Sequence, residues 1–311
     1  MKLKEAINLF IKTQKGRGNS EKTISNYQQR LKYFCNYVGN IELAEFTVYT
    51  IYDYIDFLRN KNKNEEHPYT ITSQKKLSTV TIQSYIRDVK TFVSWCISMD
   101  FLKEDNFKGF KLPKSKQSVI EILDIDTIKQ IYNFCDRYSS KKIALRSKII
   151  VSLMLDSGLR ANEVATLLTE NIDFKNNVLK VLGKGDKERY VPFGSTTKKY
   201  LKKYIKYYAP GTGILLINEY GNPVGYQGIK KLFQKIRKYT KKDYIHPHLL
   251  RHTFGTLYLM NGGDIESLKI ILGHTTLKMV EHYLHLSKEY TIGKYKQYCV
   301  LDNIYSGATD F

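Results

Sequence analysis

Between His246 and Tyr283 the chain reads HPHLLRHTFGTLYLMNGGDIESLKIILGHTTLKMVEHY. Two histidines, an arginine and a tyrosine stand there at spacings that helix packing alone does not require. Pro247 suits the first position of a helix, and His248 and Arg251, three residues apart, then share a face. Gly273 ends the next helix and leaves His274 just beyond it. Tyr283 falls on a third, short helix starting near Thr276. Cationic and hydrogen-bonding groups at helix ends suit an anion, so three helix ends are expected to converge on one phosphate. The other chemistry on offer is a metal site, through His246, His248, His252, His274, His282 and His285. It fails on residue type: there is no H-E-x-x-H, no cysteine partner, and two arginines lie close by.

Two upstream stretches carry further candidates. In Asp156-Ser157-Gly158-Leu159-Arg160-Ala161-Asn162-Glu163, Gly158 makes a turn and the next helix begins at about Arg160. Arg160 thus sits at a helix N-terminus, with Glu163 three residues on and able to orient its guanidinium. On this stretch alone an ordinary Arg–Glu pair is the plainer reading. Residues 171 to 193 change to strand character, with turns at 175–177 and 183–187, giving a three-stranded antiparallel sheet. Lys184 lies at the hairpin tip between Gly183 and Gly185, where it could swing into a cleft, and Arg189 on the returning strand is a further candidate phosphate contact. Gly255 permits close packing behind the His248–Arg251 face.

The elements that must position these groups fall into two parts. The 311 residues suffice for two domains of ordinary size. A hydrophobic content of 42% with 26% charged residues marks a folded, globular chain. Residues 1–108 read as a bundle of four or five helices, with inward stripes such as Leu3, Ile7, Phe10 and Ile11, and with Ser20, Thr47 and Ser78 as caps. Residues 109–119 form a basic linker broken by Gly109 and Pro113. Residues 120–311 carry the helices, the sheet and a tail helix at about 287–298. Lys61 to Lys76 reads as a surface loop.

Lys and Arg number 50 against 30 Asp and Glu, a net +20. Such an excess suits an extended polyanion. Lys75, Lys76, Arg87, Lys90, Lys111, Lys114 and Lys116, with Arg189, are the candidate DNA contacts, each neutralised phosphate releasing counterions. A solvated lysine-rich surface is the alternative. The cysteines, Cys35, Cys96, Cys135 and Cys299, are far apart and give neither a disulfide framework nor a zinc site. The N-terminus lacks a signal-peptide run, and the most apolar stretch, Ile149 to Leu155, is too short to span a bilayer.

The blocks Gly158-Leu159-Arg160-x-x-Glu163, Gly183-Lys184-Gly185, His248-x-x-Arg251-His252, Leu272-Gly273-His274 and Tyr283 together resemble the tyrosine recombinases, the phage-integrase and Xer group, in order and in spacing. The resemblance covers the second domain throughout; the first is similar to that family's SAM-like core-binding domain by size and pattern. It implies a mainly α, two-domain, C-shaped DNA clamp with a small three-stranded antiparallel sheet. It implies that Arg160 and Arg251 clamp the scissile phosphate, that His248 and Lys184 handle protons, that His274 hydrogen-bonds a phosphate oxygen, that Glu163 supports Arg160, and that Tyr283 is the nucleophile. Tyr290 and Tyr295 lie outside the motif.

The implied reaction cleaves and rejoins DNA through a 3′-phosphotyrosine and a Holliday junction, with no metal, ATP or other cofactor. Its implied partners are double-stranded DNA with paired recombination sites and a homotetramer joined through the tail, with room for a directionality factor and no membrane. A cytoplasmic, nucleoid-associated protein of a bacterium, phage or mobile element fits, as a Xer-like resolvase or compact integrase. The physical chemistry concurs: extra charge on the phosphoryl transition state needs fixed donors, and a tyrosine with a pKa of about 10 needs a base or a cationic surround to attack at pH 7. Which of Lys184 and His248 is acid and which base stays open. A type IB topoisomerase and a non-catalytic DNA-binding protein on the same fold are the alternatives.

Overall fold

The computed structural model describes residues 1–63, 74–103, 105, 107–114, 122–183, 188–209, 211–277, 280 and 283. The chain divides into two compact units, Met1–Ser118 and Val119–Phe311.

The first unit is helical: α1 (Leu3–Gly16), α2 (Glu21–Val38), α3 (Val48–Asn60) and α4 (Thr79–Ser98). The expected stripes face inward. Leu3, Ile7, Phe10, Ile11, Leu31, Phe34, Ile51, Leu58, Val89 and Phe92 are all buried in one core. Ser20 and Ser78 cap as expected, accepting the amides of Thr23 and Thr81. Phe107 and Phe110 join this core, so the stretch expected as linker starts inside the first unit.

The second unit contains α5 (Ile125–Asp136), α6 (Lys141–Leu155), α7 (Ala161–Ala165), β1 (Ile172–Asp173), β2 (Val178–Leu182), β3 (Glu188–Pro192), α8 (Ser195–Tyr207), α9 (Tyr226–Thr240), α10 (Pro247–Met260) and α11 (Ile265–Leu272). The sheet is antiparallel in the order β1-β2-β3. Its apolar partners Leu179 and Val191 pair across β2 and β3, and both are fully buried. The mainly α fold with its small sheet is therefore as the sequence suggested. The hydrophobic centre of this unit is α6, where Ile149, Ile150, Val151, Leu153 and Met154 are all buried. That explains the apolar run as a core helix, and no helix among the described residues is long and apolar enough to cross a membrane.

Gly158 follows α6 in the left-handed region, at φ 63°. A Cβ there would lie 2.5 Å from the Phe254 ring and 2.9 Å from Leu272. Gly158→Ala is therefore expected to destabilise the protein by about 2–5 kcal/mol, combining left-handed strain with overpacking. Urea unfolding measures it, and a loss under ~0.5 kcal/mol would mean that the turn relaxes freely, as at an ordinary surface site.

Candidate phosphate site

The site is assembled from the ends of α6, α10 and α11 and from one strand. The N-cap of α10 is His246, whose Nδ1 accepts the Leu249 amide at 3.1 Å, with Pro247 at the first helical position. One turn on, Arg251 is 4% exposed. Its guanidinium donates to the Gly158 carbonyl and to the Leu272 carbonyl, both at 2.6 Å. The second is a free carbonyl at the α11 C-terminus, where the helix dipole favours a cation. Burial, then the charge of Arg160, lowers the Arg251 pKa to about 10, so it remains a cation at neutral pH.

Gly273 stops α11 at φ 62°, as its position predicted, and His274 follows. His274 Nε2 lies 3.1 Å from Arg251 Nη2. A guanidinium only donates, so Nε2 accepts and the proton of a neutral His274 is on Nδ1. That Nδ1 is buried and has no hydrogen-bond partner among the described residues. Burial, then Arg251 and Arg160, lowers the His274 pKa to about 4. The unfolded histidine takes up its proton first as pH falls, so the stability that neutral His274 contributes is complete above pH 6.5 and is lost as pH falls toward about 4. His274→Gln is expected to flatten this part of the stability–pH curve in thermal melts; an unchanged slope would assign it to other groups.

Arg160 precedes α7 and is partly exposed. Its Nη1 donates to Glu163 Oε1 at 2.9 Å, and its own amide donates to Glu163 Oε2 at 2.8 Å. Glu163 thus pairs with Arg160, and it has a second and tighter partner. Arg189 Nη1 and Nη2 reach both carboxylate oxygens, at 2.9 and 2.8 Å, and Arg189 Nε donates to the Ile271 carbonyl at 2.9 Å. The guanidinium expected to contact phosphate is here engaged by Glu163 and the Ile271 carbonyl. On β3 it shares a face with Val191 and pairs with Val181, both buried. Strand alternation therefore turns it inward, and a buried guanidinium needs a carboxylate. Burial tends to raise the Glu163 pKa, but the two arginines outweigh it and hold it below its ordinary value.

The Val280 amide donates to the Leu277 carbonyl and the Tyr283 amide to that of Val280. The Tyr283 side chain is 2% exposed. The ring lies on Gly255, where a Cβ would sit 2.9 Å from it; the close packing read from Gly255 is the seat of the tyrosine. Tyr283 Oη is 3.0 Å from Nδ1 of His252. Burial raises the phenol pKa, although Arg251 and Arg160 pull it down. His252 belongs to a quoted motif but had no assigned role. The available signal was its position three residues before Gly255, on the same helical face.

His248, at the open end of α10, is exposed. Desolvation of its inner side, then Arg251 and Arg160, lowers its pKa. Lys184 lies outside the described residues, as do Lys116, His282, His285, Tyr290, Tyr295 and the tail at 287–298. Lys75, Lys76, Arg87, Lys90, Lys111 and Lys114 are exposed in the first unit. Of these, Lys76 Nζ donates to the Asn60 carbonyl and Arg87 to Gln83. The structure thus gathers Arg160, Glu163, Arg251, His274 and Tyr283 in a single electrostatic cluster, with Arg189 and His252 added. Among the described residues no group of three or more His, Cys, Asp or Glu is placed to hold a metal ion.

Residues 121–290 match the family model described as the phage integrase family, and residues 2–117 match that of the phage integrase SAM-like domain. The tyrosine recombinase XerC of Bacillus subtilis (strain 168) is 30% identical over 292 residues, covering 86% of this chain and 94% of the relative. XerC of Lactobacillus delbrueckii subsp. bulgaricus is 30% identical over 238 residues, covering 74% and 80%. The fold is similar to that of the Tn1549 transposon integrase in complex with circular intermediate DNA, with a TM-score of 0.72 at 20% identity, covering 89% of this chain and 94% of that one. A lambda integrase dimer bound to a core site gives 0.70 at 18%, covering 90% and 97%.

Proposed function

Because the chain belongs to the phage integrase family and is a tyrosine-type site-specific DNA recombinase, we propose that the cluster around Arg251 is its cleavage site and Tyr283 its nucleophile. The observation that carries this reading is the convergence of two arginines, a neutral histidine and a buried tyrosine within one unit. Arg160 and Arg251 hold the scissile phosphate and stabilise the charge that builds on it. His274, beside the Arg251 guanidinium, contributes a hydrogen bond to a phosphate oxygen. Tyr283 Oη gives up its proton and bonds to phosphorus, the bond to the 5′-oxygen breaks, and the leaving oxygen takes a proton. His248 and Lys184 are the proposed proton-handling groups. The phosphotyrosine conserves the ester linkage, so a 5′-hydroxyl rejoins the strand by the reverse path.

The proposed substrate is double-stranded DNA carrying paired recombination sites, processed through a Holliday junction by a tetramer joined through the tail, with a directionality factor able to bias the outcome. The exposed lysines of the first unit and the 109–119 segment are proposed backbone contacts. The proposed setting is cytoplasmic and nucleoid-associated. The XerC relatives favour recombination over the topoisomerase and non-catalytic alternatives.

The test is a nicked suicide substrate incubated with the protein in EDTA and without ATP. A covalent protein–DNA adduct is expected, and digestion should leave the DNA on the peptide that contains Tyr283. No adduct on any cognate site would sink the reading.

A further inference from the structure

Resting on that reading, we propose that Arg189 is a positioning residue for cleavage: it takes up the charge of Glu163 so that Arg160 stays a full cation toward the phosphate, and it ties the Arg160 turn to the end of α11.

The argument begins with charge. Glu163 is 7% exposed and carries one negative charge between two guanidiniums. Arg189 meets it with both terminal nitrogens and is the more enclosed of the two, with a side chain 9% exposed against 33% for Arg160. A bidentate arginine–carboxylate pair is the stronger arrangement. Arg160 spends one terminal nitrogen on the carboxylate and keeps a solvent-facing side. Without Arg189, the whole charge of Glu163 would fall on Arg160. A guanidinium neutralised at close range, in a site of low dielectric, attracts a phosphate far less. The three arginines and one glutamate otherwise leave two net positive charges for the phosphate.

Geometry adds the second part. Arg189 Nε donates to the Ile271 carbonyl, and its Cδ, Nε and Cζ lie 3.0 to 3.2 Å from where a Cβ on Gly273 would be. One side chain thus fixes Glu163, hence Arg160, relative to the residue immediately before His274. No phosphate contact by Arg189 itself is needed.

The experiment measures single-turnover adduct formation at saturating nicked DNA. Arg189→Gln is expected to cleave about 10²-fold more slowly, as for loss of one preorganised charge, with little change in DNA affinity. The double variant Arg189→Gln/Glu163→Gln restores the two net positive charges and is expected to recover to within about tenfold of wild type. A purely structural role would leave the double variant as slow as the single, and that result overturns the proposal, as does a wild-type rate for Arg189→Gln. If the single variant does not fold, the double variant still decides: it should stay within about tenfold of wild type, and a 10²-fold loss overturns the proposal. A wild type that forms no adduct overturns the recombinase reading and this one with it; a wild-type adduct with an insensitive Arg189 overturns this one alone.

Discussion

Tyr283→Phe is expected to fold, to bind DNA like the wild type, and to form no covalent adduct on the suicide substrate. The phenyl ring keeps its packing against Gly255 in the buried position. What is lost is the oxygen, and with it one hydrogen bond to His252, worth about 0.5–1.5 kcal/mol of stability. The loss of chemistry is total, because no other atom of residue 283 can form the ester. An adduct from the Phe variant would move the nucleophile to another tyrosine, Tyr290 or Tyr295 being the nearest rivals in sequence. Gel mobility shifts alongside the adduct assay separate binding from chemistry.

The second large effect is at Arg251. Arg251→Ala should slow cleavage at least ~10²-fold, the usual consequence of removing a fixed transition-state donor. It should also lower stability, because the carbonyls of Gly158 and Leu272 lose their buried donor, at about 1–3 kcal/mol for each unsatisfied group. Arg251→Lys is not a mild substitution, since an ammonium cannot span two carbonyls and a histidine with one rigid fork. DNA binding should largely persist, being spread over many backbone contacts. Equal loss of binding and cleavage would instead make Arg251 a positioning contact. Arg160→Ala provides the comparison: partly exposed and without a buried carbonyl to satisfy, it should slow cleavage with a smaller drop in melting temperature.

Much of this was legible because the elements obey simple periods. The α1 stripe, the caps Ser20, Thr47 and Ser78, Pro247 at the start of α10 and Gly273 at the end of α11 marked those elements, and the strand character of 171–193 marked the three-stranded sheet. Gly158 and Gly273 were readable as turn and stop, and both have positive φ. What escaped were relations between elements. Arg189 was assigned by charge, whereas its side of β3 was decided by alternation with Val191. Reading the strand period at the arginine, as was done for its apolar neighbours, would have buried it and sent the search for an acid. The partner, Glu163, is 26 residues away in sequence, and no local pattern joins them. His252 escaped because the adjacent Arg251 and His248 already accounted for the motif, and its contact depends on where Tyr283 settles. The tautomer of His274 could be inferred only once Arg251 was known to lie beside it.

The seat of Tyr283 has a consequence for how this site fails. Arg251, His252 and Gly255 lie within little more than one turn of α10, and they supply the central charge, the partner of the phenol oxygen and the surface beneath its ring. A helix keeps such residues in fixed phase, so any slip or rotation of α10 displaces all three by the same amount. Damage there is shared. Packing changes behind this turn should therefore weaken the charge, the phenol's partner and the seat of its ring together rather than one at a time.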